Sequence, residues 1–372
     1  MAGRSSIVIW PTINEKINSN KKFSKFTKKS MWESSFPNSQ QADLHINIWR
    51  LPSKGIGKIH DHFFDIGIMI YNPKEISKFN IFIPKHNGTY YSGGIQDLVP
   101  YMKDVSVLSS VFNEDLGINV INDAYQHRVS KDDELFCILN ELTHSDYDMS
   151  IIEGEGVVFS VLVPDNINGK VYFRLRMKGE ALLGCISEEK LANSYLQRFL
   201  SRVEITDLQI NELRTISKRL RDEIRDKGEF VFNKVHIFYV CSSDNEILVN
   251  SPQYGVCRYL ECDVWKKYID HAYLNSKRHN GVLAYHWKFK GDVKSCLVLI
   301  KNKYDRTTCL LWLRYAVIVL FFTVALGCMS NYIYDTGREW LQQKRGSENS
   351  SGEIPVSPLG GSKKGSVENG SN

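Results

Sequence analysis

The run from Leu310 to Tyr334 constrains this chain more than any other feature. Its only charge is Arg314, and Tyr315 to Met329 is almost wholly apolar. At 1.5 Å per residue, about 20 residues cross a hydrocarbon core roughly 30 Å thick. Arg314 stands at one end, where a long side chain can reach the headgroups. Trp312 and Tyr315 mark one interface, Tyr332 and Tyr334 the other. The pattern predicts one transmembrane helix over 309–334, followed by a disordered Gly/Ser/Asn-rich tail over 335–372.

Six basic residues flank the helix on its N-terminal side: Lys290, Lys294, Lys301, Lys303, Arg306 and Arg314. Three follow it: Arg338, Lys344 and Arg345. That asymmetry places the large N-terminal part in the cytoplasm, as a single-pass protein with a C-terminal anchor. Within the helix, Thr323, Gly327 and Ser330 fall at i, i+4 and i+7, so they share one face. Small residues on one face let two helix backbones approach, so this stripe is a candidate self-association surface and the chain a candidate homo-oligomer.

The formal net charge is +5. All of it resides in residues 1–40, where seven basic residues face two acidic ones. This arm contains Lys21, Lys22, Lys25, Lys28 and Lys29 interleaved with Phe23 and Phe26. Such a segment suits anionic lipid, each lysine contributing on the order of 1 kcal/mol near the surface. Its two rings could instead stack on single-stranded nucleic acid, a reading the existing membrane anchor makes the less favoured. The eight cysteines show no CxxC spacing, and this is no small secreted domain, so the folded part is expected to face a reducing compartment.

From Asp43 the pattern becomes short alternating runs. Leu44, Ile46 and Ile48 alternate with polar or large neighbours, as do Phe64, Ile66, Ile68 and Ile70, and Phe79, Ile81 and Ile83. Period two means half-buried strands. Val157–Val163 and Lys170–Met177 are two more, and Asn168-Gly169 between them predicts a hairpin. The stretch 41–178 therefore reads as a β-rich antiparallel unit. Helices are expected next: Ser187 to Val203, then one opened by the capping box Thr206-Asp207-Leu208-Gln209 and continued by Leu213, Ile216, Leu220 and Ile224 to Lys227-Gly228. Phe230–Val240, Val282–Lys288 and Ser295–Ile300 read as strands, with a helix after Asp263. The whole is α+β, with a smaller helical and α+β unit over 179–305.

His60-Asp61-His62 is the most metal-like feature. On a strand, residues i and i+2 share a face, so both imidazoles could grip one ion, with Asp65 or His127 completing the set. The alternative is a solvated turn opening a strand. Gly55-Ile56-Gly57-Lys58 is followed by Ile59 rather than Ser or Thr, so it is no phosphate loop, and neither G-x-S-x-G nor H-E-x-x-H occurs. No cofactor is named by the residues. Three function classes stay open: a membrane-anchored module that binds or senses a ligand or partner, a membrane-tethered metal-dependent hydrolase centred on His60 and His62, and a plain membrane scaffold.

Overall fold

Alternating apolar residues need a second apolar surface to cover them, and here the chain supplies it by stacking sheets. The computed structural model describes residues 6–14, 39–52, 60–120, 125–189, 201–271, 274, 281–305 and 309–349. It resolves into two units, 1–306 and 307–372. The lysines of the basic arm lie outside the described residues, as does everything after Asn349.

The first unit opens with β1 (Val8–Ile13), β2 (Ser39–Pro52), β3 (His60–Ile70) and β4 (Ile76–Pro84). A two-residue β5 (Gln96–Asp97) and helix α1 (Val105–Phe112) come next. Then follow β6 (Gly117–Val120), β7 (Gln126–Lys131), β8 (Glu134–Asn140), β9 (Tyr147–Ile152), β10 (Gly156–Leu162) and β11 (Val171–Lys178). The second half holds β12 (Ile186–Glu189), β13 (Ser201–Ile210), α2 (Lys218–Lys227) and β14 (Glu229–Ser242). It closes with β15 (Glu246–Ser251), β16 (Val256–Tyr259), α3 (Cys262–Tyr268), β17 (Val282–Val293) and β18 (Cys296–Asp305).

One layer is a ten-stranded sheet in the order β16-β17-β14-β2-β3-β11-β8-β7-β6, with β5 on β11. Two four-stranded sheets, β1-β4-β10-β9 and β12-β13-β18-β15, form the other. They are joined by a parallel bridge from Ile7, just before β1, to Ile210 at the end of β13. Asn211 tightens that seam, its Oδ1 accepting from the Ile9 amide at 2.7 Å while its Nδ2 donates to the Ile9 carbonyl at 3.0 Å. Between the layers lies one apolar core containing Leu44, Ile46, Phe64, Ile66, Phe79, Phe159, Phe173, Ile237 and Val298. Strands β16, β17 and β14 from 179–305 join the block from 41–178 through the β14–β2 pairing, so both stretches share one sheet and this core.

Burial continues on the outer side of the long sheet, where α1, α3 and a 3-10 turn over Val99–Lys103 cover Trp49, Leu51, Met69 and Tyr172. Helix α2 caps the outside of the smaller sheet. Ser217 starts it by accepting from the Leu220 amide at 3.1 Å, and Gly228 ends it at φ +126°. Leu220 and Ile224 bury against Trp10, Phe82 and Val158, each worth about 1.5–3 kcal/mol when fully buried.

Four expectations from the sequence are corrected. Strands β10 and β11 do not form a hairpin: β10 pairs with β4 and β9, while β11 crosses to the other layer and pairs with β3 and β8. Gly169 does take a positive φ of +110°, at a bend, but a local bend does not choose a strand's partner. Thr206-Asp207-Leu208-Gln209 opens no helix and belongs to β13, where Val203, Thr206, Leu208 and Ile210 are buried. The ends of the expected helix Ser187 to Val203 are likewise strand, in β12 and β13, and 190–200 lie outside the described residues. The β-rich part is also not purely antiparallel, because β14 runs parallel to β2 and β8 parallel to β11.

The described residues of the second unit form one helix, α4 (Cys309–Asn349), of 41 residues. Its stretch from Leu313 is long and apolar enough to cross a membrane by length and composition, and none of it is buried against the protein. At 1.5 Å per residue α4 is about 60 Å long, roughly twice the hydrocarbon thickness. The helix therefore runs past the expected end at Tyr334 into residues read as tail. Arg338, Glu339, Gln342, Gln343, Lys344 and Arg345 are good helix formers that sustain it.

Candidate functional site

A β-bulge builds the most chemically loaded surface of the molecule. In β14, Phe230 and Phe232 point into the core, and so do Val235, Ile237, Tyr239 and Cys241. The pairing of β14 with both neighbours shifts register between Phe232 and Lys234, which reverses the alternation. One extra residue thus turns Lys234, His236 and Phe238 onto the outer face of the sheet.

Cross-strand pairing then sets these residues in rows. His236 lies opposite His45 on β2 and Lys288 on β17, and His45 lies opposite Gly67 on β3, which faces Arg174 on β11. The next row pairs Phe238 with His286, and their rings stack at 4.2 Å and 4°. His236 Nδ1 and His286 Nε2 are 3.0 Å apart, within hydrogen-bond distance. Together with the end of α1, the rows enclose a cleft of about 250 Å³. Val111, Phe112, Phe136 and Met69 form its apolar wall, and His45, Lys234, His236, Arg258, His286 and Lys288 its basic wall. A smaller recess beside Trp49 and Trp265 shares Val111, Phe238, Arg258 and Ala284 with it.

The three imidazoles are held neutral. Burial lowers His236 to about 3, helped by His286, Lys288 and Lys234. Burial also lowers His286 to about 4, with Lys288 and Arg258 adding to the effect. His45 is pushed well below its ordinary value by burial, then by His236 and Arg174. Asp43 at the cleft floor moves up, chiefly through burial. These shifts report a desolvated surface with a surplus of positive charge.

Part of that surplus is internal. Asp65 is fully buried and receives two hydrogen bonds from Arg176, at 2.7 and 2.9 Å, one from Trp49 Nε1 at 2.8 Å and one from the Tyr268 hydroxyl at 3.0 Å. Arg174 donates to that Tyr268 hydroxyl at 2.8 Å and to the Tyr172 hydroxyl at 3.3 Å. Tyr172 in turn lies 3.2 Å from His45 Nδ1, which ties the buried cluster to the cleft. Two guanidinium groups thus face one carboxylate. Burial opposes the charge of Arg174, but Tyr172, Tyr268 and Asp65 outweigh it and raise its affinity for the proton. Gly67 makes the arrangement possible: a Cβ there would sit 2.0 Å from the Tyr172 hydroxyl and 2.7 Å from Arg174 Nη1.

The sequence candidates lie elsewhere. His60 begins β3 opposite Pro52, and nothing is described of its side chain. The His62 ring lies against Arg50, whose Nη1 is 2.7 Å from His62 Nε2, while Asp61 bonds His271 at 3.0 Å. A metal on His60 and His62 would require His62 to leave Arg50. Among the described residues no group of three or more His, Cys, Asp or Glu is disposed to hold an ion. Thr323, Gly327 and Ser330 do share a helical face of α4, all exposed, with Thr323 donating to the Val319 carbonyl at 2.8 Å.

A second cavity of about 580 Å³ opens beside Tyr125, Glu141, Asp146 and Asp165. It is larger, but its charged lining is acidic only, with no Lys, Arg or His, so the cleft, where cationic, imidazole and aromatic groups converge, is the better candidate. The cleft is hard to read along the chain because its three histidines lie on β2, β14 and β17, which are far apart in sequence. A signal was there: Asp43/His45, Lys234/His236 and His286/Lys288 each place two titratable groups at i and i+2, on one face of a strand. The chain matches no protein-family model and no curated protein.

Proposed function

We propose that this is a single-pass membrane-anchored binding protein whose cytosolic β-rich domain takes a small ligand in the cleft. The observation that carries the reading is the cleft itself: a walled cavity of about 250 Å³ where neutral histidines, free cationic rim and aromatic surface converge, on a chain that continues into one apolar helix. The excess of basic residues before α4 supports the cytoplasmic side, and Lys21, Lys22, Lys25, Lys28 and Lys29 would give the arm a second contact with anionic lipid.

Strand β2 offers a means of signalling. It carries His45 in the cleft and, five residues on, buried Arg50, which is ion-paired to Glu204 on β13. Glu204 also accepts from the Tyr304 hydroxyl at the end of β18, and Asp305 precedes α4 by four residues in the chain. Ligand-induced movement of β2 would then bias the self-association of α4 through Thr323, Gly327 and Ser330.

The test uses the full chain. After extraction of the membrane fraction at alkaline pH the protein should stay in the pellet, and protease added to intact cells should remove a tag at Asn372 while sparing one at Met1. A panel of metabolites screened by thermal unfolding should yield a compound that stabilises the wild type but not Val256→Trp, which fills the cleft mouth from an exposed edge position. Release at alkaline pH, the reverse protease pattern, or a panel whose stabilisers ignore Val256→Trp would each refute its part of the reading.

A further inference from the structure

We propose that the cleft binds a phosphate monoester, its phosphate between Lys234, Lys288 and the His236–His286 pair and its body against Phe112 and Phe136. This deepens the reading above and rests on it.

The charges facing the cleft settle the sign of the ligand. From β2 come Asp43 and His45, from β14 Lys234 and His236, from β16 Arg258, from β17 His286 and Lys288, and after α1 Glu114. Most of these are already occupied. Arg258 is 3.1 Å from Glu261, Glu114 is 2.7 Å from Lys131, and Asp43 accepts from the Tyr71 hydroxyl at 3.1 Å. Lys234 and Lys288 are exposed and enter no ion pair within 4.0 Å among the described residues. Behind them, Arg176 pairs with the carboxylate of Asp65, while Arg174 reaches that carboxylate only through the Tyr268 hydroxyl. A dianion placed at the rim would meet two unpaired ammonium groups and an uncompensated interior charge.

The histidine pair adds direction. In a neutral pair whose Nδ1 (His236) and Nε2 (His286) share one hydrogen bond, either choice of donor leaves one N–H and one lone pair on the outer nitrogens. Whichever tautomers form, one outward donor is available to an acceptor oxygen. A phosphate monoester offers three terminal oxygens and a charge approaching −2 at pH 7, its second ionisation lying near about 6. A carboxylate has one charge and two oxygens, which leaves part of this donor set unused. The wall of Phe112 and Phe136, with rings 5.3 Å apart and edge to face, gives an apolar surface for what the phosphate is attached to. The same chemistry occurs in a soluble nucleotide and in a lipid headgroup.

Full-length protein in phosphatidylcholine nanodiscs would be titrated by calorimetry with AMP, adenosine, inorganic phosphate and dioctanoyl phosphatidic acid. The expected result is saturable binding of AMP or of the short-chain phosphatidic acid at one site per chain, with adenosine at least about tenfold weaker than AMP. Lys234→Ala and Lys288→Ala should each weaken binding by about fivefold, and Lys290→Ala, outside the cleft, by less than twofold. Binding of AMP assigns a soluble ligand, and binding of phosphatidic acid alone assigns a headgroup. Thermal unfolding of each variant checks that the exposed lysines do not support the fold. Failure of all the phosphate compounds to bind, or equal binding to the Lys234→Ala/Lys288→Ala double variant, overturns the proposal. If a compound without phosphate meanwhile stabilises the wild type but not Val256→Trp, the cleft remains a binding site and only the phosphate assignment falls.

Discussion

Asp65 is the residue whose loss should cost the domain most. Its carboxylate is fully buried and takes four hydrogen bonds from three side chains. Asp65→Ala would strand the Arg176 guanidinium, which is only 8 % exposed as a side chain, without a countercharge. Breaking a buried ion pair from one side costs about 3–5 kcal/mol, because the remaining charge stays desolvated. The orphaned Trp49 and Tyr268 donors add roughly 1 kcal/mol each, partly overlapping with that figure. A total near 5 kcal/mol rivals the whole stability of an ordinary domain, about 5–15 kcal/mol. Asp65→Asn retains an acceptor oxygen and loses only the charge, so it should fall between the two. Asp65→Leu/Arg176→Met removes both charges together and should cost distinctly less than Asp65→Ala. Urea unfolding of the full chain in detergent micelles reads these differences, with buried Trp49 and Trp265 reporting by fluorescence. An Asp65→Ala variant within 1 kcal/mol of wild type, or a double variant as unstable as the single one, would refute the account of the cluster as a paired charge in a dry site.

Three further outcomes are expected. Gly67→Ala should destabilise by about 1–3 kcal/mol through overpacking, since the fully buried Tyr172 ring is pinned at 4.8 Å from Phe112 and cannot swing away; a neutral effect on the melting temperature would contradict this. Stability should fall with acid because the unfolded chain's imidazoles bind protons below about 6.5, whereas His286 and His236 resist protonation down to about 4 and about 3, so the limb from pH 6.5 downward should flatten in His236→Asn/His286→Asn, and an unchanged limb argues against neutral folded imidazoles. In membranes, Gly327→Leu should weaken self-association of α4 by on the order of 1 kcal/mol while lipid-facing Leu320→Ala does little; equal effects, or a monomer by crosslinking, would leave α4 as an anchor only.

Much of this protein was fixed by terms that act along the chain. The apolar run after Arg314 needs no partner to declare itself, because lipid alone can satisfy it. The alternation in β2, β3 and β4 is likewise local, as is the stop of α2 at Gly228, where the backbone takes a conformation glycine favours. What tertiary structure decided was pairing and direction. Asn168-Gly169 made a bend whose flanking strands then parted to opposite layers, and Thr206 with Gln209 matched a helix start that burial of Val203, Leu208 and Ile210 overrode. The cleft is the extreme case. His45, His236 and His286 meet only because β14 lies between β2 and β17, and His236 faces outward only because one bulged residue reverses the alternation set by Phe230 and Phe232. A sheet places residues far apart in sequence at about 5 Å across neighbouring strands, and a shift of one residue sends every side chain beyond it to the other face. Local propensity carries neither quantity, so a chain can state its strands plainly and still keep its site hidden until they pair.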